Sequence, residues 1–361
     1  MDSMNKVREM RQSGASDLSV ARASLEAAIA SGGGDRRRSS RGMVIGGGVL
    51  AAGLVVAGTL VGGLLPQAAS AQEVLENAAA LQVDLYDTSL EEGQFLRTKI
   101  VRESISYLNE GWQTDAEPFS AVPVHPVAAV LTGSTDISYR SADRSDDVTQ
   151  DTSGYYGIQA YGDTAAADAA WAEYYVPGGT AKIGEQAPGE VWRTEGRAPG
   201  SRFLEGKLQG RIPEDPQAFL DAWIASAEGG TATGEPALDQ LWRVVGDADF
   251  ANASGRDRAT VLRALALTDG AEVVSTDGDL SVVQYKGEWG TYRLTIDTAK
   301  GQIIAVQSEI HRGAVYVGDG NKERLADFET PAFVPDGTFS STETISVDVV
   351  DSVPQTDAYD D

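Results

Sequence analysis

The chain has 361 residues, no cysteine and two histidines, and its 54 Asp and Glu against 29 Lys and Arg leave a formal charge of −25. Without cysteine there are no disulfides, thiolate zinc sites, thiol nucleophiles or lipobox acylation, so any folded part is held by its core alone. The acidity argues against nucleic acid and anionic lipid as partners, since both need a basic face.

Residues 1–42 are short and polar, with eight Lys or Arg against five Asp or Glu. Within them Asp17–Ala30 reads as a helix carrying a stripe of Leu18, Ala21, Leu25 and Ile29. A stripe this narrow cannot fold alone; it would order on a cytoplasmic protein or stay frayed beside the membrane. Met43–Leu65 then runs for 23 residues without a charge, about 34 Å as a helix, enough to cross a bilayer. Arg36, Arg37, Arg38 and Arg41 precede it, whereas Glu73, Glu76 and Asp84 follow. The positive-inside rule therefore places 1–42 in the cytoplasm and, after a linker at 66–71, residues 72–353 outside the cell membrane. Everything after the anchor, tail included, holds 49 acidic and 21 basic residues. Gly58 and Gly62 form a GxxxG spacing that would allow a homodimer within the membrane. Ala69-Ser70-Ala71 also fits a signal-peptidase site, so cleavage before Gln72 is the alternative to a retained anchor.

Outside the membrane, Gln72–Gln82 suggests a short helix, and Phe95–Leu108 a long strand. Phe95, Arg97, Lys99 and Val101 fall on one face of that strand; Leu96, Thr98, Ile100 and Arg102 fall on the other. Thr114–Pro126 reads as loop, Ala128–Arg140 as a strand or a hairpin broken at Gly133, and Ser141–Asp151 as a charged loop. Tyr155–Ala160 suggests a short strand, and Asp163 caps an Ala-rich helix ending near Tyr175. Glu190–Glu195 and Arg202–Gln209 are further strand candidates.

Asp215-Pro216 then gives a cap followed by Pro at the first helical position. The helix it opens sets Phe219, Leu220, Trp223 and Ile224 on one side. A second helix after Pro236 aligns Leu238, Leu241, Trp242 and Val245, and a third covers Arg258–Leu267. Strands follow at Ala271–Ser275, Leu280–Tyr285, Gly290–Asp297 and Gln302–His311, with turns at Asp277-Gly278 and Ala299-Lys300-Gly301. Gly318–Asp336 looks like loop, Thr344–Val350 like a last strand, and 354–361 like an acidic disordered tail. The expected class is α+β: a mainly antiparallel sheet, flat or curved into a half-barrel, packed by three or more helices.

Catalytic patterns are absent from the sequence. His125 and His311 have no metal-ligand spacing, and no GxSxG elbow, phosphate loop or dinucleotide fingerprint occurs. Asp247–Asn252 and Asp319–Arg324 fail as calcium loops for want of the sixth-position glycine. No cofactor and no metal is expected. Phe219, Trp223 and Trp242 read first as core; their alternative role is to line an apolar cavity between helices and sheet, where a lipid-like ligand would bind.

Several stretches resemble a family of actinobacterial single-pass membrane proteins without an assigned activity. They are VREMRQ and VARASLEAAI near the start, DRRRSSRG before the anchor, ASAQEVLENAA after it, GQFLRTKI, PEDPQAFLDAWI, YRLTIDTAKGQIIAVQSE and ISVDVVDSVP. The resemblance implies a single-pass protein with an anti-sigma-like layout, although residues 1–42 lack the His and Cys of zinc-binding anti-sigma domains. The element order is also loosely similar to periplasmic lipoprotein-carrier half-barrels. The expectation is a non-enzymatic, membrane-anchored extracytoplasmic domain that binds an apolar ligand or a cell-envelope partner. A transmembrane regulator with a cytoplasmic protein held at 1–42 is the alternative.

Overall fold

The computed structural model describes residues 69–353 except 86–89, 92, 112–117, 142–147, 175–181, 186–188, 195–207, 209–211, 229–234, 252 and 317–322. The expected cytoplasmic segment 1–42, the expected 43–65 anchor with Gly58 and Gly62, the expected tail and nearly all of the strand expected at Arg202–Gln209 lie outside the described residues. Among the described residues no helix is long and apolar enough to cross a membrane.

The folded part opens with helix α1 (Ala71–Leu85). Its start is a reciprocal cap: Ser70 Oγ accepts from the Glu73 N–H at 3.1 Å, and Glu73 Oε2 accepts from the Ser70 N–H at 2.8 Å. Val74, Leu75, Ala78 and Ala79 make the buried stripe. Ala71 is 5 % exposed, so the A-x-A motif enters the folded domain at its first turn. Ser70→Ala should destabilise the domain by about 1 kcal/mol, a drop of about 3 °C in a thermal melt; an unchanged melt would show the cap to be redundant.

Five strands follow: β1 (Phe95–Asn109), β2 (Phe119–Ser120), β3 (Pro126–Ser141), β4 (Val148–Gly162) and β5 (Gly189–Thr194). Gly133 does not break β3. Register shifts on either side of it absorb the irregularity, and the ring of Tyr156 fills the space that a side chain there would need. The expected loop at Thr114–Pro126 is corrected by β2, where Phe119 and Ser120 pair with Leu108 and Tyr107 of β1. The Ser141–Asp151 loop is likewise shorter than expected, because β3 reaches Ser141 and β4 begins at Val148. Polar residues on a hairpin carry no apolar alternation from which a strand could be recognised.

Helix α2 (Thr164–Tyr174) starts where Asp163 Oδ1 accepts from the Ala166 N–H at 3.1 Å. Next come α3 (Pro216–Glu228), α4 (Ala237–Val244), the single turn α5 (Ala248–Ala251) and α6 (Gly255–Ala266). Asp215 caps α3 through the Ala218 N–H at 2.8 Å. Helix α6 begins ahead of the expected Arg258, because Ser254 accepts from the Asp257 N–H at 3.1 Å. Strands β6 (Ala271–Asp277), β7 (Leu280–Lys286), β8 (Gly290–Asp297) and β9 (Gln302–Ile310) form a meander. Gly278 (φ 58°) and Gly301 (φ 66°) supply the positive-φ turn positions. A small hairpin, β10 (Arg312–Tyr316) and β11 (Glu323–Asp327), corrects the expectation of loop from Gly318 onward. The chain closes with β12 (Ser341–Val350).

The fold is α+β with an open antiparallel sheet in the order β5-β4-β3-β1-β12-β9-β8-β7-β6, and β2 adds to β1. The last strand thus sits centrally, between the two meanders. It pairs with β1 over ten residues but with β9 over only four, Ser341–Thr344 against Ser308–Ala305. Where the pairing stops, β9 carries a bulge: Thr295 faces Ala305 and Ile296 faces Ile303, leaving Ile304 over. A bulge bends its strand and increases twist, which turns β9 away from β12.

Helices α1, α3, α4 and α6 share the main core with β7, β8 and β9, while Ala167, Ala170 and Trp171 of α2 pack on Leu108, Ala128 and Val130. On the opposite face, Phe333 and Val334 cover Ile105, Tyr107 and Ala129.

Candidate functional site

Phe219, Trp223 and Trp242 are each 0 % exposed. The rings of Phe219 and Trp223 lie 6.0 Å apart, and the Trp223 indole N–H donates to the Ala237 carbonyl at 2.8 Å, tying α3 to α4. Trp242 stacks on Tyr285 of β7 at 5.1 Å and 9°. One turn earlier on α4, Asp239 is 0 % exposed. Its carboxylate accepts the backbone N–H of Trp289 at 2.6 Å and of Glu288 at 3.3 Å, and the Tyr292 hydroxyl at 3.4 Å. Burial raises the Asp239 pKa, and the two backbone N–H groups oppose that shift. A Cβ at Gly287 would collide with this carboxylate. The three aromatic residues are therefore packed as core against a hairpin clamped by Asp239, and an apolar ligand would have to displace them.

His125 and His311 are exposed. Ala248–Ala251 of the Asp247–Asn252 stretch is the helical turn α5 rather than a loop. Among the described residues no group of three or more His, Asp or Glu is placed to hold a metal.

The polar feature of the fold lies on the helix-facing side of the central strands. Residues directly opposite in an antiparallel pair share a face, so one row reads Ser134 (β3), Arg102 (β1), Glu343 (β12), Val306 (β9), Leu294 (β8), Val283 (β7). The next reads Thr132, Ser104, Ser341, Ser308, Tyr292, Tyr285. In both, the helix-facing surface changes from polar to apolar between β12 and β8, within the short paired stretch that precedes the divergence of β12 from β9. The hydroxyls pair across strands: Ser104 with Thr132 at 2.9 Å, and Ser308 with Ser341 at 2.7 Å. Thr98, two residues before Ile100 on the same face, is 1 % exposed, and its hydroxyl has no hydrogen-bond partner among the described residues.

Arg102 is the centre of this tract. Its guanidinium bonds Asp136 of β3 and reaches Asp247, in the connection from α4 to α5, at 3.4 Å. Glu343 stands opposite Arg102 on β12, and the backbone at Gly246 rests so closely on it that a Cβ there would be 3.3 Å from Oε2. Burial pushes the Glu343 pKa up to about 7, with a contribution from Asp247, while Arg102, Ser341 and Arg243 pull it down. Asp136 and Asp247 are 31 % and 51 % exposed at the side chain. The tract thus has a part-exposed charged rim at Arg102, Asp136 and Asp247, a largely buried layer of hydroxyls paired with one another, and one carboxyl whose pKa is raised to about 7. Such a rim holds polar groups by charge.

The alternation of β1 puts Arg102 on the face of Leu96, Thr98 and Ile100, and the structure shows that face to be the helix-facing one. Asp136, Asp247 and Glu343 had no sequence signal to separate them from the other acidic residues. No family model matches this chain, and no curated protein and no solved structure is significantly similar to it.

Proposed function

We propose that this chain is a single-pass membrane protein, with residues 1–42 inside and Met43–Leu65 as its anchor. Its extracytoplasmic domain acts by binding a polar cell-envelope partner rather than by catalysis. The observation that carries the reading is the Arg102 tract, a part-exposed charged rim over buried hydroxyls, beside a core whose aromatic residues are fully enclosed. Enclosure of Phe219, Trp223 and Trp242 favours an envelope partner over an apolar ligand. The divergence of β12 from β9 supports a sheet curved in the manner of a half-barrel, with the polar rows on its hollow side.

The absence of cysteine makes the test direct. Ser19→Cys and Val274→Cys report topology: a membrane-impermeant maleimide applied to intact cells should label position 274, which is 45 % exposed, and spare position 19. Asp136→Cys then carries a photo-crosslinker at the tract. A discrete adduct from position 136 that is absent from position 274 supports the reading. Labelling at 19, or the same adducts from both outer positions, overturns it.

A further inference from the structure

The Gly246–Asp247 turn rests on the sheet through two contacts that share one cation. Gly246 lies on the carboxyl of Glu343 and on Val306, and Asp247 pairs with Arg102. The turn is closed on itself by the Gly246 N–H to Arg243 carbonyl bond at 3.1 Å and the Asp247 N–H to Val244 carbonyl bond at 2.9 Å, so it moves with the end of α4. It spans the place where β12 and β9 stop pairing. No sheet hydrogen bond holds those two strands together beyond Thr344 among the described residues.

We propose that this turn is a proton-sensitive clasp: protonated Glu343 lets Arg102 hold Asp247 and keeps the turn closed, whereas ionised Glu343 draws Arg102 away and repels Asp247, so that the turn lifts. Arg102, facing Glu343 from β1, and Asp247, facing it from the turn, act in that sense; Arg243 of α4 attracts the ionised carboxyl and acts against the lift, so the loss of the Asp247 contact has to outweigh it. Asp136 of β3 lies beyond Arg102, and Glu235 pairs with Arg243 at 2.7 Å. From β9 the opposing residue is Val306, which does not titrate. Asp247 is the member that yields, because it is the more exposed of Arg102's two aspartates and is held at 3.4 Å. A carboxyl ionising near neutrality sets the range in which the exchange of partners occurs. The clasp rests on these contacts, with the raised Glu343 pKa setting its range, and stands whether or not the tract binds an envelope partner.

Hydrogen exchange of the full chain in detergent tests it, with rates corrected for intrinsic pH dependence. From about pH 5.5 to about pH 8.5, protection of the amides at 245–251 should fall by about fivefold or more with a midpoint near neutrality, while the β7–β8 amides stay unchanged. Glu343→Gln should abolish the step and leave the turn protected throughout. Asp247→Asn, which removes the ion pair and keeps Glu343, should leave the turn exchanging at its open rate across the range. A wild-type turn whose protection does not change with pH overturns the proposal. So does a step that persists unchanged in either variant.

Discussion

Asp239→Ala should lower the melting temperature of the folded domain by about 10 °C, equivalent to a loss of about 3 kcal/mol. The residue is fully enclosed, and its carboxylate is the acceptor for the Trp289 and Glu288 N–H groups where β7 turns into β8. Alanine would leave those donors without an acceptor beneath α4, and an unmade buried bond is more costly than the net gain of making one. Burial drives the pKa of this carboxyl up, so ionisation works against the fold while the N–H groups work for it. Asp239→Asn keeps one acceptor oxygen and removes the desolvated charge, and should cost about half as much. Near-ultraviolet circular dichroism, which follows the stacked Trp242 and Tyr285, reads the transition. A shift under about 2 °C would mean that stacking alone holds the hairpin.

Glu343→Gln should act in the opposite direction, and only at the alkaline end. In the folded chain this carboxyl titrates near 7, against an ordinary 4.5. Between those values the folded state holds a proton that the unfolded chain has released. Stability is therefore fully present below the ordinary value and is lost as pH rises through about 7. The span corresponds to about 3 kcal/mol at most, and the partial exposure of the site reduces it. Glutamine removes the titration, so the variant should melt higher than wild type by about 5 °C at pH 8 and at the same temperature near pH 4.5. Denaturant titrations at both pH values measure the difference, and equal stabilities at pH 8 would show that Glu343 ionises without cost.

Much of the fold was legible because its helices carry local signals. Asp163, Asp215-Pro216 and the Phe219–Trp223 spacing mark helix starts and faces within one turn of chain, and the Asp277-Gly278 turn fixes a hairpin. What failed was polar and non-local. Strand β11, with Glu323, Arg324 and Asp327, has no alternation to betray it, and the start of β4 was hidden in a run of charges. The single turn α5 is too short to show a helical period. The site was less legible still. The alternation of β1 sets Arg102 on the face of Ile100, but Glu343 lies 241 residues later in the chain and Asp247 in a connection between helices. Their meeting follows from a register between β1 and β12 that no local pattern encodes.

That same register governs how the domain can come into being. Strand β12 lies at the very end of the described chain, yet it supplies the ladder joining the β1 half of the sheet to the β9 half. Until residues 341–350 are present, the two meanders have no shared strand, and ten backbone pairs must form across about 250 residues of intervening chain. Loop-closure entropy opposes such pairing, so it forms slowly and late. The domain thus cannot complete its sheet until residues 341–350 have left the ribosome, however early its helices and hairpins form.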